Sequence, residues 1–98
     1  MNVREILGLV RQQSECCALT GWKLEPADAA LDHIIPISRG GAHDITNAQM
    51  LRKDVNRCKG TLTNEEFIAV CEAVVAHCQQ NSTQMERTGS HLLGSRPG

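Results

Sequence analysis

The sequence predicts a small α+β domain, a β-loop-β-α unit held between two helices, and three features predict it. Apolar residues recur at helical spacing near the N-terminus, an Ile-rich run broken by a proline lies in the middle, and a capping-box spacing opens a second helical stripe after residue 62. Ninety-eight residues are enough for one core and leave nothing for a second. With 41% hydrophobic and 21% charged residues, the composition excludes collagen-like, coiled-coil and disordered classes for the chain as a whole.

Val3, Ile6, Leu7 and Val10 fall at i, i+3, i+4 and i+7 with Arg4, Glu5 and Arg11 between them, which predicts an amphipathic helix over 2–13 despite Gly8. From 14 to 30 the periodicity is lost, and Thr20-Gly21 and Glu25-Pro26 punctuate the segment. A loop or short irregular hairpin is expected there, with Trp22 plugging the core. Residues 31–38 (LDHIIPIS) read as a strand, which Pro36 confines to an edge because it cannot donate a ladder hydrogen bond.

Arg39 to His43 and Asp44 form a glycine-containing loop, residues 48–51 a second short apolar run, and 53–59 a short helix ended by Gly60. Thr63 followed by Glu66 has capping-box spacing, so a helix should begin there. Phe67, Cys71, Val74, Val75 and Cys78 then share one face, which reads as a core-facing stripe with Cys71 and Cys78 as small buried hydrophobes. The domain is expected to occupy 1–80, and the polar, glycine- and proline-containing segment 81–98 to be a flexible tail.

Net charge is −1, so bulk charge gives no sign of a nucleic-acid partner, and with Trp22 and Phe67 as the sole aromatics a base-stacking platform is excluded. The average hides a local surplus. From 39 to 59 five cations (Arg39, Arg52, Lys53, Arg57, Lys59) stand against Asp44 and Asp54, a surplus of three positive charges. No apolar stretch approaches the roughly 20 residues that cross a bilayer, so no membrane partner is expected. The odd count of five cysteines and the lack of a signal-peptide run favour a reducing cytoplasm.

The same region carries the candidate chemistry. Asp32 offers a hard anionic oxygen beside His33, an imidazole suited to taking a proton from water near neutral pH. Neighbours in a strand point to opposite faces, so both serve one site only if the strand begins or bends there. Arg52, Asn56 and Lys59 line one face of the short predicted helix. A carboxylate plus an amide oxygen make an incomplete, oxygen-only site of the kind that takes Mg²⁺ or Mn²⁺ with waters and phosphate oxygens completing the shell. Taken singly, an Asp-His pair on a strand is more often structural than functional, Asn47 is a turn residue and Asn56 a solvated helix position.

Together these positions match a known pattern. The runs LDHIIPISRGG (31–41), NAQML (47–51) and NRCKG (56–60), with CALTGW (17–22) before them, resemble the HNH endonucleases of the ββα-metal fold, over about residues 16–70. The ββα motif would span about 31–60. The resemblance implies that Asp32 and Asn56 are metal ligands, that His33 is the general base, and that Asn47 ties the loop to the ribbon and helps hold the histidine. One divalent ion, Mg²⁺ or Mn²⁺, would serve hydrolysis of a DNA phosphodiester to 5′-phosphate and 3′-hydroxyl ends. Arg39, Arg52, Arg57 and Lys59 become phosphate contacts that position DNA without reading its sequence.

Many members of that family carry two CxxC pairs that bind a structural zinc. Here Cys16 and Cys17 are vicinal, and Arg52 and Val55 stand where the later pair would fall, so no structural zinc is expected and apolar packing must stabilise the domain. His43, His77 and His91 receive no role. The resemblance to small phage-type members also raises a protein partner such as a phage packaging component, in a bacterial or phage-infected cell. The alternative function is a non-catalytic DNA-binding or packaging accessory module that keeps the fold.

Overall fold

The structure, a computed structural model, describes the backbone of residues 1–87 and the side chains of 1–80. The 81–98 segment expected as a flexible tail falls largely outside them. The chain divides into two compact units, Met1–Phe67 and Ile68–Gly98. Besides three short 3-10 turns, the described residues form three α-helices and a two-stranded antiparallel sheet, in the order α1 (Val3–Gln12), β1 (Ala29–His33), β2 (Ala48–Arg52), α2 (Lys53–Lys59) and α3 (Asn64–Arg87). This is the α+β class that the sequence predicts. None of the described helices is long and apolar enough to cross a membrane.

Each element of the first unit has a local cause. Asn2 caps α1 through a reciprocal pair, its side chain accepting the Glu5 N–H and the Glu5 carboxylate accepting its own. At the other end of α1 the Gln13 amide donates to the carbonyls of Cys16 and Met50 and accepts the Met50 N–H, so one side chain serves β2 as a short third strand would. The 14–28 segment holds an isolated bridge between Cys16 and Lys23, the irregular hairpin expected there. Cys17 lies buried inside it with Leu24, and these two pack with Met50, Leu51 and Val55 to form the core. Ile6, Leu9, Val10, Leu19, Leu31 and Phe67 close over that cluster.

Trp22 does not plug this core. It is 53% exposed and lies beneath the Arg52 guanidinium, 4.7 Å from ring centroid to Cζ, a cation–π stack on the surface. The core is filled instead by the aliphatic, thioether and thiol side chains of Leu24, Leu51, Val55, Met50 and Cys17.

The first strand is shorter than expected and begins earlier. It pairs Ala29 with Arg52 through to His33 with Ala48, and the chain bends at Ile34 and Ile35. Pro36 has no N–H to offer a ladder, and both polar groups of Ile35 are taken by a side chain instead of a strand. The helix predicted over 53–59 forms with those bounds, ended by Gly60 at a positive φ of 55°.

Thr63 and Glu66 form the expected capping box, with Glu66 N–H to Thr63 Oγ1 at 3.2 Å and Thr63 N–H to Glu66 Oε1 at 3.0 Å. Phe67 packs on the core as the stripe requires. In the second unit, however, Cys71, Val74, Val75 and Cys78 are exposed, so the reading of the two cysteines as buried hydrophobes is corrected. Helical periodicity identifies a face that shares one side; it carries no information about whether anything covers that side.

The capping carboxylate gives the domain an acid-sensitive joint. Arg39 forks onto both Glu66 oxygens, and this bond, with the Thr63 N–H, pulls the Glu66 carboxyl from 4.5 down to about 2. Between these two values the unfolded chain binds more protons than the folded one, so this contribution to stability is whole above pH 4.5 and is lost as pH falls towards 2. Urea unfolding at pH 5 and pH 3 is expected to show a loss of stability in the parent chain that is reduced in Glu66→Gln. The side chains are 43% and 44% exposed, so the effect is small and shrinks in high salt.

Candidate active site

Asp32 and His33 are the last two residues of β1, and the chain bends at Ile34 immediately after them. The register sets Asp32 directly opposite Gln49 and His33 opposite Ala48. Asp32 therefore shares a sheet face with Gln49, whose Nε2 donates to Asp32 Oδ2 at 2.9 Å. Gln49 and Asn64 bond reciprocally, which chains the first residue of α3 to the same carboxylate.

Lys59 completes this cluster, and its role differs from the expected one. Its ammonium lies 2.9 Å from Asp32 Oδ2, its side chain is fully buried, and it also donates to the carbonyls of His33 at 3.2 Å and Ile34 at 3.4 Å. Lys59, expected as a DNA-phosphate contact, thus has its ammonium held inward against Asp32. Helical spacing sets Lys59 one turn after Asn56; that its ammonium turns inward onto the carboxylate of β1 is not visible in the spacing.

Asn47 is buried and ties together the chain on both sides of the bend. Its Nδ2 donates to the carbonyls of Ile35 at 2.9 Å and Ala42 at 2.8 Å, and its Oδ1 accepts the Ile35 N–H at 2.9 Å. Its backbone carbonyl takes the Ile34 N–H as well. Three amide bonds from one side chain fix the segment that immediately follows His33 and the loop that faces it.

Gly41 lets this clamp close. A Cβ there would overlap the Ile35 carbonyl and stand 2.8 Å from Asn47 Nδ2. Backbone, rather than a flexible side chain, would have to move. Gly41→Ala is expected to destabilise the domain by about 1–3 kcal/mol, measured by urea denaturation.

His33 is half-buried at the strand terminus, and its imidazole meets that of His43 from the loop, Nε2 to Nδ1 at 2.9 Å with ring planes 40° apart. His43 was given no role from sequence. An exposed loop histidine carries no periodic or spacing signal, and only the fold of 34–47 brings it to His33. The neighbouring Asp44 carboxyl is held below the usual range, first by the Thr46 hydroxyl and then by the Thr46 N–H, which closes the loop on its far side.

The remaining cations are only partly free. Arg39, expected as a phosphate contact, is engaged by Glu66 and the Thr61 carbonyl. Arg52 is paired with Asp54 at 2.9 Å and stacked on Trp22, though still 37% exposed, while Lys53 and Arg57 are exposed on α2. Arg52, Lys53 and Arg57 line one polar cleft with Ala27, Asp28 and Asp54.

Asn56 is half-buried on α2, one turn before Lys59 and on the same helix face. Among the described residues its side-chain amide and Asp32 Oδ1 make no hydrogen bond, leaving two hard oxygen donors. No group of three or more His, Cys, Asp or Glu side chains able to hold a metal is found among the described residues. Carboxylate and amide oxygens of this kind suit a hard divalent ion that takes most of its shell from water and phosphate.

Comparison with known proteins agrees with this geometry. A family model described as HNH endonuclease matches residues 15–62, the stretch from the irregular hairpin through β1, the Asn47 loop, β2 and α2. Residues 15–62 belong to the HNH endonuclease family. A search of curated proteins finds no match. Within this HNH domain the two strands and α2 form the ββα unit, and the family is one of nucleases that act on DNA and use a divalent metal.

Proposed function

We propose that this HNH domain is a metal-dependent DNA endonuclease in which His33 takes a proton from the attacking water and Asp32 and Asn56 hold a single divalent ion, Mg²⁺ or Mn²⁺. The observation that carries the reading is the placing of His33. Its backbone is fixed by the ladder, by Lys59 and by the Asn47 clamp one step further on, while its imidazole stays half-exposed outside the core. A module that only binds DNA has no use for an immobilised base at a bend.

The ion, when bound, stabilises charge on the phosphate and the departing 3′ oxygen. Everything else is done by the chain. Asn47 positions the base, and Lys59 and Gln49 hold Asp32 Oδ2 so that Oδ1 is presented in one orientation. Arg57 and Lys53, with the exposed part of Arg52, supply phosphate contacts of low sequence selectivity. Proton transfer by His33 accounts for about 10²–10⁴-fold of the rate.

The test is incubation of supercoiled plasmid with the purified chain in Mg²⁺, in Mn²⁺ and in EDTA. Nicked or linear product is expected only with metal. Retention of DNA that weakens steeply with salt, with no cleavage in either metal, would establish the non-catalytic binding module instead, a role suited to assisting a packaging machine.

A further inference from the structure

The pairing of His33 with His43 carries an inference beyond the four motif positions, and it rests on the reading of His33 as base. The hydrogen bond between them holds one proton between His33 Nε2 and His43 Nδ1, 2.9 Å apart. Two arrangements satisfy it. If His43 Nδ1–H donates, the His33 lone pair at Nε2 is consumed and the proton of the neutral His33 ring sits on Nδ1, so neither nitrogen can accept from water. If His33 Nε2–H donates, Nδ1 keeps its lone pair and has no bond among the described residues. Only the second is competent.

We propose that His43 is a positioning residue that accepts the Nε2–H of His33, fixing the tautomer in which Nδ1 is the water-activating atom. The loop is built to keep it there. Ala42, on one side of His43, is held through its carbonyl by Asn47; Asp44, on the other, is held by the Thr46 N–H and hydroxyl. An exposed side chain is thereby flanked by two anchored residues, and its ring is held against the base. As Nδ1 gains a proton from water, the Nε2–H···Nδ1 bond becomes a charge-assisted one and stabilises the imidazolium.

The substitutions His43→Leu and His43→Asn separate this role from packing and from DNA contact. Asn Oδ1 occupies the place of His Nδ1 and can accept the same hydrogen, whereas Leu cannot. In protein labelled with ¹⁵N-histidine at pH 8, the His33 ring is expected to carry its proton on Nε2 in the parent chain and in His43→Asn, and to populate both tautomers in His43→Leu. In the plasmid assay kcat is expected to fall about 10–100-fold in His43→Leu with KM for DNA unchanged, and to be largely restored in His43→Asn. An unchanged His33 tautomer in His43→Leu, or a rise in KM with kcat intact, would overturn the proposal. The nitrogen spectra need no cleavage, so a failure of the nuclease reading and a failure of this one are told apart.

Discussion

Replacing Lys59 with methionine is expected to leave the first unit largely unfolded in water at neutral pH. The ammonium is fully buried against the Asp32 carboxylate, so the substitution keeps the packing volume of the stem and deletes the charge. Asp32 would be left as a buried anion with a single amide donor from Gln49. Breaking a buried pair from one side costs about 3–5 kcal/mol. A unit of this size has roughly 3–10 kcal/mol to lose, at 0.05–0.15 kcal/mol per residue. Far-UV circular dichroism and urea midpoints check this directly. The double variant Lys59→Met with Asp32→Leu should recover most of the stability, since removing both charges leaves nothing unpaired. If the single variant folds as well as the parent, the ion pair contributes little.

His33→Ala is expected to separate activity from stability in the opposite way. Cleavage of plasmid in Mg²⁺ or Mn²⁺ should fall by about 10²–10⁴-fold, the contribution of a positioned general base. The fold should be nearly unaffected. Lys59 bonds to the His33 carbonyl, which alanine retains, and the ladder bonds of β1 are backbone. The side chain gives up only its contact with exposed His43. Equal cleavage by the variant would remove His33 from the mechanism and point to a contaminating nuclease.

What could be read from sequence follows the range of the interactions involved. The α2 bounds, the α3 capping box and the β2 run were legible because propensity, capping and turn chemistry act within four residues. The over-long first strand came from reading Ile35 and Ile37 as strand residues, when Asn47, twelve positions on, takes both polar groups of Ile35. Lys59 and Asp32, and His33 with His43, are likewise joined across the fold, and no periodicity records such pairs. The Cys71 and Cys78 stripe was legible as a face but not as an exposed one.

The buried ion pair has a consequence for the order of events in the life of the protein. Many small domains enclose a carboxylate only with the help of a cation taken from solution, so that shape and metal arrive together. Here the counter-charge is encoded, twenty-seven positions downstream of the carboxylate, and travels with the polypeptide. The newly made chain needs no divalent ion to supply this counter-charge as it folds. A chelator should therefore leave the domain unmelted, and any cleavage it suppresses should return on adding metal with no refolding step.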